Sequence, residues 1–419
     1  MFSLVAFMLS KRFPFFFIEN MSVLDSLLDK SRWQEFLEHK ISKSHLTKTE
    51  EQNLIDFVNN ERYLTVAKGI ADGTYTFSFP TKSLVNKSGS TKKRVVYTFD
   101  DTESMILKFI VFNMSKYDHI FSANCYSFRK NSTVRKAFYS IIDNADIGSM
   151  FAYKLDISNY FNSIAVSQLL PMLHSIFADD ERLYQFFYNI LTTNKAVFDG
   201  EIIEESRGVM AGTPMSTFFA NVYLMDMDKY FLENGVVYAR YSDDIIIFDK
   251  NIDSLKKNIE YIHTIISHKN LDINAEKEQL FAPHEAWNFL GFEYCDGTID
   301  LSMVTLKKIK DKIRRKSRSI YRWRLKNEKS TEEAIKVMLR VFNNKFYRED
   351  HQKDLTWSKW FFPVITTHTR LNIIDNYLVQ YLRYLENGRF TKKNYNISYN
   401  YLKSLGFKSL VNEYHKSKK

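Results

Sequence analysis

The sequence predicts an α+β fold: an antiparallel sheet with packed helices, followed by a helical C-terminal region. Three observations carry this reading. Apolar runs of strand length occur in mid-chain at Met150–Leu155, Val236–Tyr241 and Ile245–Phe248. Stretches with helical spacing of apolar residues lie between and after them, at Val166–Phe177, Leu183–Leu191 and Ile252–His268. After Leu301 the strand pattern gives way to a long basic stretch of helical periodicity. The order strand, helix, strand, strand, helix is that of a sheet covered by helices.

From the N-terminus, residues 1–20 are set apart. Met1–Leu9 and Phe13–Ile18 are apolar, but Lys11 and Arg12 interrupt them and neither run can span a bilayer. The charge and cleavage pattern of a secretory signal is missing, so the expectation is that Met21 opens the folded chain, without stable membrane association. Ser22 to about Lys68 has helical spacing in Val23, Leu24, Leu27, Trp33, Phe36 and Leu37. Tyr75–Phe79 and Arg94–Phe99 read as strands of a hairpin that carries Lys87, Lys92, Lys93 and Arg94 near its tip. Ser104–Met114 is helical. Val209–Leu224 opens with a Gly-Thr-Pro turn and continues as a helix. Ser242-Asp243-Asp244 separates two apolar strands and has hairpin chemistry. Lys307–Lys326 holds eleven Lys or Arg against one acid, Asp311, and reads as a basic amphipathic helix suited to tracking phosphates. Residues beyond about Thr331 are helical and end in a frayed Lys-rich tail. The resulting divisions are 21–150, 151–300 and 301–419.

Composition narrows the function classes. The formal net charge is +10 and the pI near 9.1, which favours a polyanionic partner through counterion release. With 35 Phe, 25 Tyr, 12 Gly and 6 Pro, the chain is not a disordered or collagen-like one. Cys125 and Cys295 supply neither a disulfide framework nor a zinc cage, so a reducing, cytoplasmic setting is expected. The ten histidines show no paired metal-ligand spacing.

The chemistry lies in the acids. Asp156 ends an apolar strand, and Asp243 with Asp244 sits between two more. Adjacent carboxylates there repel unless a cation offsets them. Phosphoryl transfer to a 3′-hydroxyl uses two Mg²⁺ ions about 3.5–4 Å apart, held by carboxylates. Asp156 and Asp243 are 87 residues apart in sequence, so the proposal requires a fold that joins their strands.

Four stretches in order resemble reverse transcriptases. Tyr241-Ser242-Asp243-Asp244 resembles the YxDD box, and Asp156 with Phe161 resembles the first carboxylate motif with its aromatic steric gate. Arg207 to Ser216, continuing as Ala220-Asn221-Val222-Tyr223-Leu224, is similar to the Gly-x-Pro-Gln-Gly segment and its Ala-Asn-x-Tyr-Leu tail. Phe289-Leu290-Gly291-Phe292 resembles the primer grip. The likeness runs from about Tyr75 to Phe292. It implies a right-hand polymerase with fingers (21–150), palm (151–300) and a basic helical thumb (301–419), two Mg²⁺ (Mn²⁺ as substitute), dNTP substrates, an RNA template and a DNA product. It places Asp156, Asp243, Asp244 and the Ile157 position at the metals, and Arg94, Lys92, Phe161, Ile157 and Gly212 at the nucleotide. Lys277, in Asn274-Ala275-Glu276-Lys277, matches the lysine proposed to protonate pyrophosphate. Phe161 beneath the sugar favours DNA over RNA synthesis.

The sequence departs from the family at two points. Ala211 stands where Gln is common, and Ser127 replaces Gly in Tyr126-Ser127-Phe128-Arg129, which otherwise resembles a bacterial Tyr-Gly-Phe-Arg segment. The aromatic block Trp357–Thr366 resembles the region after the palm in bacterial defence-associated (unknown-group) reverse transcriptases. Among these, the class 2 defence system, with a structured noncoding RNA, is the expected subclass. Retron and group II intron-like enzymes, an RNA-dependent RNA polymerase and a non-catalytic RNA-binding protein are the alternatives.

Overall fold

The computed structural model describes residues 21–43, 46–86, 93–129, 132–144, 146–347 and 356–418. Residues 1–20, Lys87 and Lys92 therefore lie outside the described residues.

The first layer is built from helices Lys30–Lys43, Lys48–Asn59, Leu64–Ala71 and Asp101–Asn113. Thr47 and Glu50 form a reciprocal capping box at the second of these. Trp33 is the hub: its ring stacks between Tyr63 and Phe109, 4.1 and 3.9 Å away, and its N–H donates to the Leu27 carbonyl.

Strands β1 (Thr81–Asn86) and β2 (Lys93–Thr98) pair as an antiparallel hairpin. The expected first strand, Tyr75–Phe79, is not one. Its aromatic alternation serves ring packing: Phe77 meets Phe99 and Phe186 edge-on, while buried Glu103 accepts from the Ser78 amide and the Tyr75 hydroxyl. The real strand, Thr81–Asn86, is mostly exposed and so lacks an apolar signature.

Strand β3 (Phe151–Asp156) follows. Next comes a hairpin that periodicity does not predict, β4 (Lys195–Phe198) and β5 (Glu201–Glu204), with four-residue strands too short to show alternation. Its one sequence signal is the Asp199-Gly200 turn, where both residues have positive φ. β4 also meets β1, giving the sheet order β2-β1-β4-β5.

Strands β6 (Val237–Tyr241), β7 (Asp244–Asp249) and β8 (Gln279–Phe281) complete a central antiparallel sheet with β3, in the order β6-β7-β3-β8. Strands β3, β6 and β7 are buried on both faces, while β8 is exposed at Gln279 and Leu280. Tyr153, Leu155, Ile245 and Ile247 join an apolar cluster reaching back to Val23. Ala152, Ile246 and Phe248 join a second cluster reaching forward to Tyr414. Double burial explains why these strands read as unbroken apolar runs rather than alternating ones.

A third sheet, β9 (Trp287–Phe289), β10 (Phe292–Cys295) and β11 (Thr298–Leu301), leads into helix Met303–Lys326. Ser302 caps that helix. Leu306, Ile309, Ile313, Ser317 and Ile320 form its buried stripe, which packs with helices Thr331–Tyr347 and Thr369–Tyr384. The expected frayed Lys-rich tail is helical up to Ser417, and Lys419 lies outside the described residues. Leu410–Ser417 is a helix whose start donates to buried Asp375, and the Tyr414 hydroxyl donates to Ile365. Among the described residues no helix is long and apolar enough to cross a membrane.

Candidate active site

The register of the central sheet creates the site. β3 and β7 pair so that Asp156 stands directly opposite Asp244, and the Ile157 amide donates to the Asp243 carbonyl at 3.1 Å. Three carboxylates distant in sequence thus share one sheet end. Asp156 and Asp244 lie on the face of the second apolar cluster, because residues two apart on a strand share a face and paired residues do too. Ladder bonds around Ile157 run through its amide, the Ser158 amide and the Asp156 carbonyl, leaving the Ile157 carbonyl outside these bonds.

The electrostatics follow from this crowding. The Asp243 carboxyl is pushed up to about 6 by burial and by its neighbours Asp244 and Asp156. Asp244 is also raised, mainly by burial, although Lys154, Lys277 and Lys308 pull it back. Lys277 Nζ sits 2.6 Å from Asp156 Oδ1, with its side chain half exposed. Lys154, two residues before Asp156, donates to Asn288 at 3.0 Å; burial lowers its pKa while both acids oppose that. Among the described residues no three acidic, His or Cys side chains converge into a ready-made metal cage, and Lys277 takes one Asp156 oxygen. The chemistry of the donors nonetheless suits a divalent ion: carboxylates are hard oxygen ligands, and Asp243 is raised by Asp244 and Asp156 at the same sheet end.

A buried scaffold fixes the turn. Arg240, fully buried, donates through Nε to Asp228 Oδ1 at 2.8 Å and through a terminal nitrogen to Oδ2 at 2.5 Å. Its other contacts are the Ser242 carbonyl, the Asn221 carbonyl and Cys125 Sγ, each at 3.3 Å. From the opposite side the Ser242 amide donates to the Ser127 hydroxyl (3.0 Å), which donates to Asn221 Oδ1 (2.8 Å). Ser127 therefore does what glycine cannot, since it supplies an acceptor to the turn. Ser242 itself has φ 63°.

Phe161 is half-buried at the start of the short helix Tyr160–Ser163. The exposed ring of Phe128 stands between it and Tyr241, at 6.4 and 6.3 Å. The loop carrying Ala211 and Gly212 is clamped by backbone. The Ala211 amide donates to Asn162 Oδ1 (2.9 Å) and its carbonyl accepts from the Tyr97 amide (2.8 Å). Gly208 and Gly212 both have positive φ. A Cβ on Gly208 would lie 2.5 Å from the Phe161 carbonyl, and one on Gly212 would lie 3.0 Å from that of Tyr97. These contacts bring Phe161, Gly212 and β2 together. Arg94 on β2 is exposed, opposite Val85, and is not joined to the carboxylates.

Sequence reading misses Lys154, Lys308, Asn162, Asp228 and Arg240. Lys154 had a signal, its i+2 spacing from Asp156. Arg240 had one too, a charge inside the apolar run Val236–Tyr241, which demands a partner without naming it.

A central antiparallel sheet with carboxylates at one end, a strand hairpin against the Ala211–Gly212 loop and a helical region beyond it define a right-hand polymerase fold of the reverse transcriptase class. The family described as "Reverse transcriptase (RNA-dependent DNA polymerase)" matches residues 85–294, half of the chain, and the chain belongs to it. Retron Ec86 reverse transcriptase of Escherichia coli is 23% identical over 180 residues, 42% of this chain and 52% of that protein. The chain thus spans about half the length of this curated relative. Among solved structures, apo telomerase from Candida tropicalis, truncated from the C-terminal domain, aligns at TM-score 0.42 and 15% identity, covering 54% of this chain and 55% of that one. Telomerase from Candida albicans with a fragment of telomeric RNA aligns at 0.42 and 13%, covering 89% and 72%.

Asp228→Asn leaves the Arg240 charge buried without its counter-ion, and is expected to cost about 3–5 kcal/mol in urea unfolding. A second prediction concerns pH. Because the folded-state pKa of Asp243 is raised, this carboxyl contributes stability below its unfolded value of 3.8 and loses it as pH climbs through about 6. In metal-free buffer with EDTA, Asp243→Asn should therefore be more stable than wild type by about 1–3 kcal/mol at pH 7, with the gain vanishing near pH 4. An equal gain at both pH values would refute the electrostatic account.

Proposed function

We propose that this chain is an RNA-templated DNA polymerase. The observation that carries the reading is the pairing of Asp156 with Asp244 beside Asp243, with Lys277 Nζ on Asp156. Asp156, Asp243 and Asp244, with the Ile157 carbonyl, would hold two Mg²⁺ ions, or Mn²⁺ in their place. When bound, such ions lower the pKa of a primer 3′-hydroxyl and stabilise charge at the phosphorus.

The chain's own groups do the rest. Arg94 on β2, together with Lys92, binds the triphosphate, for which a bidentate guanidinium is suited. Gly212 admits the nucleotide close to the backbone, and the Phe161 ring lies beneath the sugar, excluding a 2′-hydroxyl. Lys277, released from Asp156, holds the proton at Nζ that pyrophosphate takes. We assign 21–150 to fingers, 151–300 to palm and 301–419 to thumb, where the basic face of helix Met303–Lys326 tracks the RNA–DNA duplex.

The finer reading is a cytoplasmic enzyme of antiphage defence that copies a structured noncoding RNA. The motif resemblances support it. The partial match to a retron enzyme favours a second reading, in which one dedicated RNA serves as both template and primer.

Primer extension with Mg²⁺ and dNTPs tests the activity. Asp243→Ala with Asp244→Ala should abolish incorporation, and Phe161→Ala should raise use of rNTPs relative to dNTPs by about tenfold or more. Silence of the wild-type protein on every primer–template would overturn the polymerase reading. Sequencing of co-purifying nucleic acid tests the template: one abundant structured RNA with matching complementary DNA is expected, and random cellular RNA would refute the dedicated template.

A further inference from the structure

Beyond the region shared with the family, residues 387–412 contain five Lys or Arg and no Asp or Glu. Two rings in this segment face water: Phe390 is 60% exposed and Tyr395 64%. They are mounted rather than dangling. Phe390 meets the rings of Tyr381 and Tyr384 at 5.2 and 5.3 Å. The Arg383 guanidinium lies 4.7 Å from the centre of the Tyr395 ring, and its Nε donates to the Ile397 carbonyl.

Buried Asn394 fixes the loop between the two rings. Its Oδ1 accepts from the Thr391 hydroxyl at 2.8 Å and the Asn387 amide at 2.7 Å, while its Nδ2 donates to the Arg389 carbonyl at 2.6 Å. Around them the side chains of Arg389, Lys392 and Lys393 are exposed. No carboxylate holds any of these three among the described residues.

We propose that this face binds single-stranded nucleic acid, whose bases stack on Phe390 and Tyr395 while Arg389, Lys392 and Lys393 pair with its phosphates. Charge complementarity selects the occupant: an acid-free segment with five cations attracts a polyanion and repels a basic partner. The rings supply the second half of the recognition. Every base has a π face, so an exposed aromatic ring on a fixed support gains stacking energy regardless of sequence. Pre-organisation matters because the loop does not have to be ordered on binding. A protein partner fits worse, since interface cores are depleted in lysine and here cations flank both rings. The surface lies outside residues 85–294 and does not rest on the polymerase reading.

The test uses the full-length protein with U-rich RNA and T-rich DNA oligonucleotides of about 12 nucleotides, a length within the known range for such platforms. Ultraviolet crosslinking to wild type, followed by peptide mapping, should place crosslinks at Phe390 or Tyr395. Phe390→Ala with Tyr395→Ala should weaken binding by fluorescence anisotropy about tenfold or more. Arg389→Ala, Lys392→Ala and Lys393→Ala together should lower the slope of log affinity against log salt by about 2. Neither set of changes should alter extension of a short preformed primer–template. Weakening on both polymers, or on only one, supports the surface and says which polymer it holds. Crosslinks confined to residues 85–294, together with unchanged affinity and salt slope, would overturn the proposal, and the wild-type mapping stands even where a variant misfolds.

Discussion

Three carboxylates forced together at the end of two paired strands repel one another, and much of the surrounding polar structure answers that repulsion. Two unit charges 4 Å apart interact by about 4 kcal/mol at an effective dielectric of 20, a large fraction of a domain's net stability. The strands cannot slip to relieve it. A one-residue shift of β3 against β7 would turn the faces of Leu155 and Ile245 away from one apolar cluster and into the other. The acids therefore stay in place, and compensation comes from side chains: Lys277 on Asp156, and Lys154 and Lys308 toward Asp244. Compensation is incomplete, because Asp243 still titrates near 6. That residual repulsion is what a pair of divalent cations would remove in the proposed reaction.

Holding the charges requires holding the backbone beneath them. The Ser242–Asp243 turn is gripped at its amide by Ser127 and at its carbonyl by Arg240. A buried ion pair such as Arg240–Asp228 adds little net stability over an apolar replacement of the same shape, because desolvation offsets the Coulomb gain. Its value here is geometric. One guanidinium ties a helix residue, a strand, the Asn221 carbonyl and the turn into one rigid unit. Ser127 contributes in the same way: without its hydroxyl the buried Ser242 amide loses its acceptor, a deficit of about 1–3 kcal/mol. The Ser242 hydroxyl is buried and has no hydrogen-bond partner among the described residues.

What the sequence makes legible is local. Helix Ile252–His268 and the strands holding the acids follow from periodicity, and the Asp243–Asp244 pair declares itself because adjacent carboxylates between apolar runs are costly. Tyr75–Phe79 misleads because alternating aromatics satisfy ring packing as readily as strand pairing. β4 and β5 are too short for alternation to register, leaving only Asp199-Gly200. The long-range partners are illegible in principle: a buried Arg240 demands an acid, yet nothing in the sequence selects Asp228 over its neighbour Asp226. Ser127 shows the opposite case. A departure from the family pattern looks like a loss until the fold shows the hydroxyl against the turn.

The acidic centre sits in a basic chain without cancelling its attraction for polyanions, and the reason is range. Lys277 pairs with Asp156, and Lys154 and Lys308 pull Asp244 back, so part of the acids' field is met locally and the rest is screened beyond a Debye length of about 8 Å. Helix Met303–Lys326 carries the opposite sign outward. Lys308, Lys312, Arg315, Arg322 and Lys326 are all exposed and recur at helical spacing, a stripe of about 27 Å at 1.5 Å per residue. Lys312 also lies beside Lys345, whose pKa is lowered by burial and then by that neighbouring amine. Two ammonium groups crowded together repel, and a phosphate placed between them would gain from both. In the proposed reaction a polyanion approaching from solvent would meet these cations first, and Lys308, at the start of the row, is the one that acts on Asp244.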